Sequence, residues 1–177
     1  MSLGLVDVTK TTLGDDSKKG ISVELLYAHR EEIESIPDRD GVTAEGLATI
    51  SGDIVFKTGG RFYKLYSTRE KGEIRYSMEG EDDSKSITSM LEIYVPGQSA
   101  QILGWIDANK NQDFVFLVRE TCGNWRLMGD SCWPCKMDTA EGTTGKTRSD
   151  AKGNTIVFSS EGMAPVYTGV RQETPQA

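Results

Sequence analysis

A single histidine, His29, stands among 177 residues, and the three cysteines fall short of the four ligands of a paired-thiol zinc site. A hydrolase triad built on His29 has no Ser or Cys partner near it in sequence, so the simpler reading is a surface or strand-end histidine. No stretch is apolar for long enough to cross a bilayer as a helix, and Met1 to Val6 lacks both a basic start and a continued apolar segment. The expected setting is therefore the cytoplasm. Basic residues are in deficit: 20 Lys and Arg against 27 Asp and Glu leave a formal charge of -7, which opposes the capture of nucleic acid by a basic face. The plainer meaning of the same excess is solubility. The G-x-x-x-x-G-K-[ST], H-E-x-x-H, G-x-S-x-G and dinucleotide signatures are missing as well. Gly142 to Thr147 imitates a phosphate loop, but two residues separate its glycines where four belong, and no buried strand precedes it.

What is present is a series of short apolar alternations separated by turns. Nineteen glycines against five prolines suit many tight turns between strands. Ile74, Tyr76 and Met78 alternate with Glu73, Arg75, Ser77 and Glu79, which predicts a half-buried antiparallel strand. Asp53 to Lys57 and Arg61 to Tyr66 flank Thr58-Gly59-Gly60, where glycine supplies the positive φ of a hairpin turn. Ile21 to Tyr27, Thr155 to Phe158 and Val166 to Thr168 add further strands. Ile87, Leu91, Ile93 and Val95 share one face of another, and Phe114 to Val118 reads as a buried strand turned back by Gly123-Asn124 into Trp125 to Gly129. Between them, after Pro96-Gly97, Ile102, Trp105 and Ile106 recur at helical spacing, so a helix is expected within Gly97 to Asn109. Ile74, Tyr76, Ile102, Ile106, Phe114 and Phe116 are the expected shared core. Such short, evenly spaced strands indicate a mainly β sandwich or barrel, and nothing in the composition splits residues 1–177 into two domains.

Three segments lack apolar residues to order themselves: Thr9 to Gly20, Cys135 to Asn154 and Val170 to Ala177. Residues 1–20 and 170–177 are accordingly read as flexible arms. Arg30 to Gly41 fits either a short helical turn or an extended crossover.

The candidate chemistry is thin. Glu79, Glu81, Asp82 and Asp83 share one loop, where mutual repulsion keeps them solvated. Asp107, Asn109, Asn111 and Asp113 alternate as calcium ligands do, yet Gln112 stands where the glycine of such a loop belongs and Val118 where its closing Glu belongs, so a turn stabilised by Asn and Asp is the simpler reading. Cys132-Trp133-Pro134-Cys135 has the spacing of a thiol oxidoreductase, with Cys122 upstream, but a poor helix former follows it and no βαβ unit surrounds it. The thiols are expected to be reduced and structural, beside Trp125 and Trp133 as aromatic anchors. No catalytic residue, metal site or cofactor is expected.

The succession Ser84 to Gly97, then Asn109 to Val118, then Gly123 to Gly129 resembles the major tail, or tail tube, proteins of long-tailed bacteriophages. The likeness continues in Thr144-Gly145-Lys146, Asp150 to Phe158 and Pro165 to Gly169. It implies an antiparallel β-sandwich or half-barrel with one flanking helix. It further implies a structural virion protein of a phage or prophage, forming six-fold rings that stack into a tube. Its partners would be copies of itself and other tail proteins, with DNA as passing cargo and no membrane. Its place would be the host cytoplasm during assembly and then the virion tail. A small-ligand-binding β-barrel and, further off, a Cys132/Cys135 oxidoreductase are the alternatives.

Overall fold

The computed structural model describes residues 20–176; the expected N-terminal arm lies almost wholly outside them. Over the described residues the chain is mainly β, with antiparallel sheets, one α-helix and no closed barrel. The strands are β1 (Ile21–His29), β2 (Ile33–Ser35), β3 (Thr49–Ile50), β4 (Val55–Phe56), β5 (Tyr63–Tyr66), β6 (Glu73–Glu79), β7 (Ser86–Pro96), β8 (Phe114–Glu120), β9 (Trp125–Met128), β10 (Lys136–Thr143), β11 (Gly153–Glu161) and β12 (Val166–Tyr167), with helix α1 (Ala100–Asn109) between β7 and β8. A six-stranded sheet runs β3-β12-β9-β8-β1-β5, a four-stranded sheet runs β10-β11-β7-β6, and β2 pairs with β4.

Strand β8 explains the layering. Phe114, Val115, Phe116, Leu117 and Val118 are all buried, because both faces of the six-stranded sheet are covered. Phe114, Phe116 and Val118 meet Leu91 and Ile93 of β7 and Ile156 and Phe158 of β11 in the core between the two larger sheets. Val115 and Leu117 point the other way, into a second core with Ile33, Ile50, Ile54, Phe56, Phe62 and Tyr167. Gly123, at φ 105°, turns β8 into β9 as the sequence predicts.

Helix α1 lies within the expected Gly97 to Asn109, its first residue three positions after Gly97. Pro96 ends β7, Gly97 turns at φ 80°, and Ser99 is the N-cap, its side chain accepting from the Ile102 amide. Trp105 and Ile106 pack on the first core, whereas Ile102 is only half-buried and stays outside that cluster.

Besides the place of Ile102, expected in the shared core, four further expectations need correction. Gly59 does turn, at φ 85°, but β4 pairs with β2 and β5 with β1, so no hairpin joins them. Phe56 and Phe62 instead meet edge to face at 4.9 Å across the turn, and burying both rings outweighs direct strand pairing. Cys135 to Asn154 is not all loop: Lys136–Thr143 is a strand along β11. Its side chains are almost all exposed, so its order comes from backbone hydrogen bonds and leaves no apolar alternation. Tyr76, expected in the core, is 59% exposed. Trp133, expected as an anchor, is 60% exposed.

Arg30 to Gly41 realises both of its readings, a 3-10 turn at Arg30–Glu32 followed by the extended β2. At the other end, Gly59 N donates to Gln176 O, Gln176 N to Gly60 O, and Phe62 N to Gln172 O, at 2.9, 3.0 and 2.8 Å. The terminal segment therefore lies along the Gly59 turn.

Candidate functional site

Strand β6 is the outermost strand of the four-stranded sheet, paired only with β7 among the described residues. Its register places Ile74, Tyr76 and Met78 opposite Leu91, Ser89 and Ile87. Ile74 reaches the core. Tyr76 and Met78 stand on the same face but run past its cover, at 59% and 58% exposure. The alternation that marks this strand is thus an apolar face of which only Ile74 packs on the core of its own chain. On the other face Arg75 lies 3.3 Å from Glu92 and also pairs with Glu73, the hydrogen bond to Glu73 being the main cause that holds its guanidinium above its ordinary pKa. Beyond the strand, Gly80 turns into an exposed acidic loop with Glu81, Asp82 and Asp83. An apolar strand face, a backbone edge unpaired among the described residues and a dense patch of negative charge therefore lie within one short stretch.

The candidate residues of the sequence do not converge. His29 Nε2 donates to Asn109 Oδ1 at 2.6 Å, and Asn109 Nδ2 donates to the Trp105 carbonyl at 2.8 Å. Asn109 therefore fastens the end of α1 to the end of β1. Its calcium-loop neighbours are engaged elsewhere: Asp107 pairs with Lys110 at 2.8 Å and Asp113 with Lys136 at 2.9 Å. The Lys110 hydrogen bond lowers the Asp107 pKa. Among the described residues no three His, Cys, Asp or Glu side chains gather at metal-binding distance.

The cysteines separate. Asp130 Oδ1 accepts from the amides of Cys132 and Trp133 at 2.8 and 2.7 Å, which turns Cys132 out to solvent. Cys135 is buried, its backbone bridged to Phe114 in both directions. Burial pushes its thiol far above the ordinary value, so it is protonated at neutral pH. Strand β10 follows at once, where a thiol oxidoreductase has a helix whose N-terminus favours the thiolate. In the phosphate-loop mimic, the amides of Lys146 and Thr147 both donate to Asp150 Oδ2 at 2.8 Å. The backbone hydrogen bond from Thr147, then that from Lys146, lowers the Asp150 pKa. The donors that would cradle a phosphate already hold the chain's own carboxylate.

Two features escape a reading of the sequence. The exposure of Tyr76 and Met78 depends on how far the opposing sheet extends, which alternation does not encode. A cavity of about 210 Å³ lined by Tyr27, His29, Glu32, Tyr63, Trp105 and Asn109 gathers residues from β1, the first 3-10 turn, β5 and α1; their only linear signal is an aromatic on each of three elements. No helix among the described residues is long and apolar enough to cross a membrane. Compared with known protein families, curated proteins and solved structures, the chain matches none.

Proposed function

We propose that this chain is a structural subunit that polymerises through its sheet edges, in the manner of a phage or prophage tail tube protein whose six-fold rings stack into a conduit for DNA. The observation that carries this reading is the β6 edge, where Tyr76 and Met78 extend a core face beyond their own core. A strand edge left open is a template for pairing with another chain, and an apolar face beside it supplies the area such pairing buries. The acidic loop after Glu79 suits the same role, because carboxylates facing a passing duplex repel phosphate and let it slide. In this reading function resides in geometry and needs no catalytic group.

The test is negative-stain electron microscopy of the concentrated protein together with light scattering over a range of concentrations. Rings or tubes that grow with concentration support the proposal. A chain that stays monomeric at every concentration, and also fails to join tubes with its cognate tail proteins, overturns it.

A further inference from the structure

The cavity between β1, β5 and α1 carries a proposal independent of assembly. Its walls are aromatic: Tyr27 meets Trp105 edge to face at 5.6 Å and Tyr63 at 5.8 Å. The edges are fixed, since Trp105 Nε1 donates to the Tyr27 hydroxyl at 2.9 Å and the His29–Asn109–Trp105 chain of hydrogen bonds ties the helix end to the strand. Glu32 completes the lining from the turn that follows β1. One of its carboxyl oxygens, Oε2, is buried with no hydrogen-bond partner, and Glu32 takes part in no ion pair among the described residues. A buried carboxyl oxygen without a donor is costly and calls for a partner. At about 210 Å³ the space is several times the ~30 Å³ share of a water molecule, which is room for a compact organic group.

We propose that this cavity binds a small organic ammonium ion. Ring faces attract a cation through their quadrupole, and a carboxylate at the same cavity adds direct charge complementarity. A neutral molecule of equal shape gains neither. The protein already uses one of these rings this way: the Arg61 guanidinium lies 4.8 Å from the Tyr63 centroid, although Arg61 does not line the cavity. An anion is disfavoured by the Glu32 carboxylate. A metal ion finds one carboxylate among aromatic walls, too few hard oxygens for Ca²⁺ or Mg²⁺.

The experiment titrates full-length ¹⁵N-labelled protein with choline and, in parallel, with its uncharged carbon isostere 3,3-dimethylbutan-1-ol, following the indole N–H signals. The Trp105 signal should move with choline, saturating in the roughly millimolar range, and the isostere should bind at least about tenfold more weakly. Glu32→Gln should weaken choline about tenfold while leaving the isostere unchanged. Tyr63→Leu, a change on the opposite wall, gives a second test if Glu32→Gln fails to fold, and should likewise weaken choline and not the isostere. Equal binding of the two probes, shifts centred on Trp125 or Trp133, or no shift at tens of millimolar choline would each overturn the proposal.

Discussion

Phe116 of β8 and Phe158 of β11 bring the two main sheets together, their ring centroids 4.6 Å apart and both side chains fully buried. Phe114 extends the stack, 5.5 Å from Phe116 and 5.4 Å from Phe158. Truncation here opens a cavity that rigid strands on both sides close poorly. Phe116→Ala should cost about 3–5 kcal/mol in urea unfolding, and a loss below about 1 kcal/mol would mean that the sheets repack freely around the gap.

Charge placed on the β6 edge should separate assembly from folding. Tyr76→Lys with Met78→Lys should change stability by about 0.5 kcal/mol or less, because both positions are exposed. The same pair should abolish concentration-dependent scattering, since charged edge residues block strand addition. Undiminished rings or tubes from the double variant would place the contact on another face.

The cysteines should respond in order of exposure. An alkylating reagent should modify Cys132 in the native chain and spare Cys135 until denaturant is added. Cys132→Ser should be nearly neutral, whereas Cys135→Ser should cost about 1–3 kcal/mol by placing a hydroxyl in the core. Native-state labelling of Cys135 as fast as that of Cys132 would contradict this.

Alkaline pH should destabilise the fold. Burial is the leading cause that raises the Cys135 thiol above its ordinary 9.0 and the Tyr27 and Tyr167 phenols above their ordinary 10.0. Each group keeps its proton in the folded chain at a pH where the unfolded chain has released it. The folded state then binds more protons, and stability falls as pH rises. That contribution is whole below about pH 9 and drains away above it. The urea midpoint should hold through neutrality and drop between about pH 9 and pH 11, with a smaller drop in Cys135→Ala. A midpoint that rises over that window would refute the assignment.

Gly129 ends β9 at φ 91°, and a Cβ there would lie 2.9 Å from the Phe114 carbonyl oxygen. Gly129→Ala meets both an unfavourable backbone region and a backbone wall, so a loss of about 1–3 kcal/mol is expected by thermal unfolding. Gly104→Ala, in the helix with open space around it, should instead be neutral or stabilising by up to about 1 kcal/mol.

Sequence pattern reached these elements unevenly, for physical reasons. Phe114 to Val118 was legible because a strand covered on both faces reads as an unbroken apolar run. Residues 73–79 were legible as a strand but not in their exposure: alternation records an apolar face and says nothing about what covers it. Lys136–Thr143 carried no signal, since an exposed strand fastened by its backbone needs no apolar side chain. Gly59 announced its turn correctly, yet where the flanking strands pair was decided by Phe56 and Phe62. At the candidate sites, the separation of Cys132 from Cys135 turned on Asp130 and on the strand that follows, and the aromatic cavity joins residues as distant in sequence as Tyr27 and Trp105. Spacing within one segment reveals neither.

Strand β12 lies between β3, which it joins in parallel, and β9, which it joins antiparallel. Tyr167 caps the second core from there, its hydroxyl accepting from the Ile54 amide at 3.2 Å and donating to the Val170 carbonyl at 2.8 Å. During translation, Ile50, Ile54, Phe56 and Phe62 leave the ribosome long before Tyr167 is made. The last piece of their cover arrives with Tyr167, well after Val115, Leu117 and Leu127. Until then Val115, Leu117 and Leu127 close this core only in part, and the nascent chain carries an apolar gap where Tyr167 will seat.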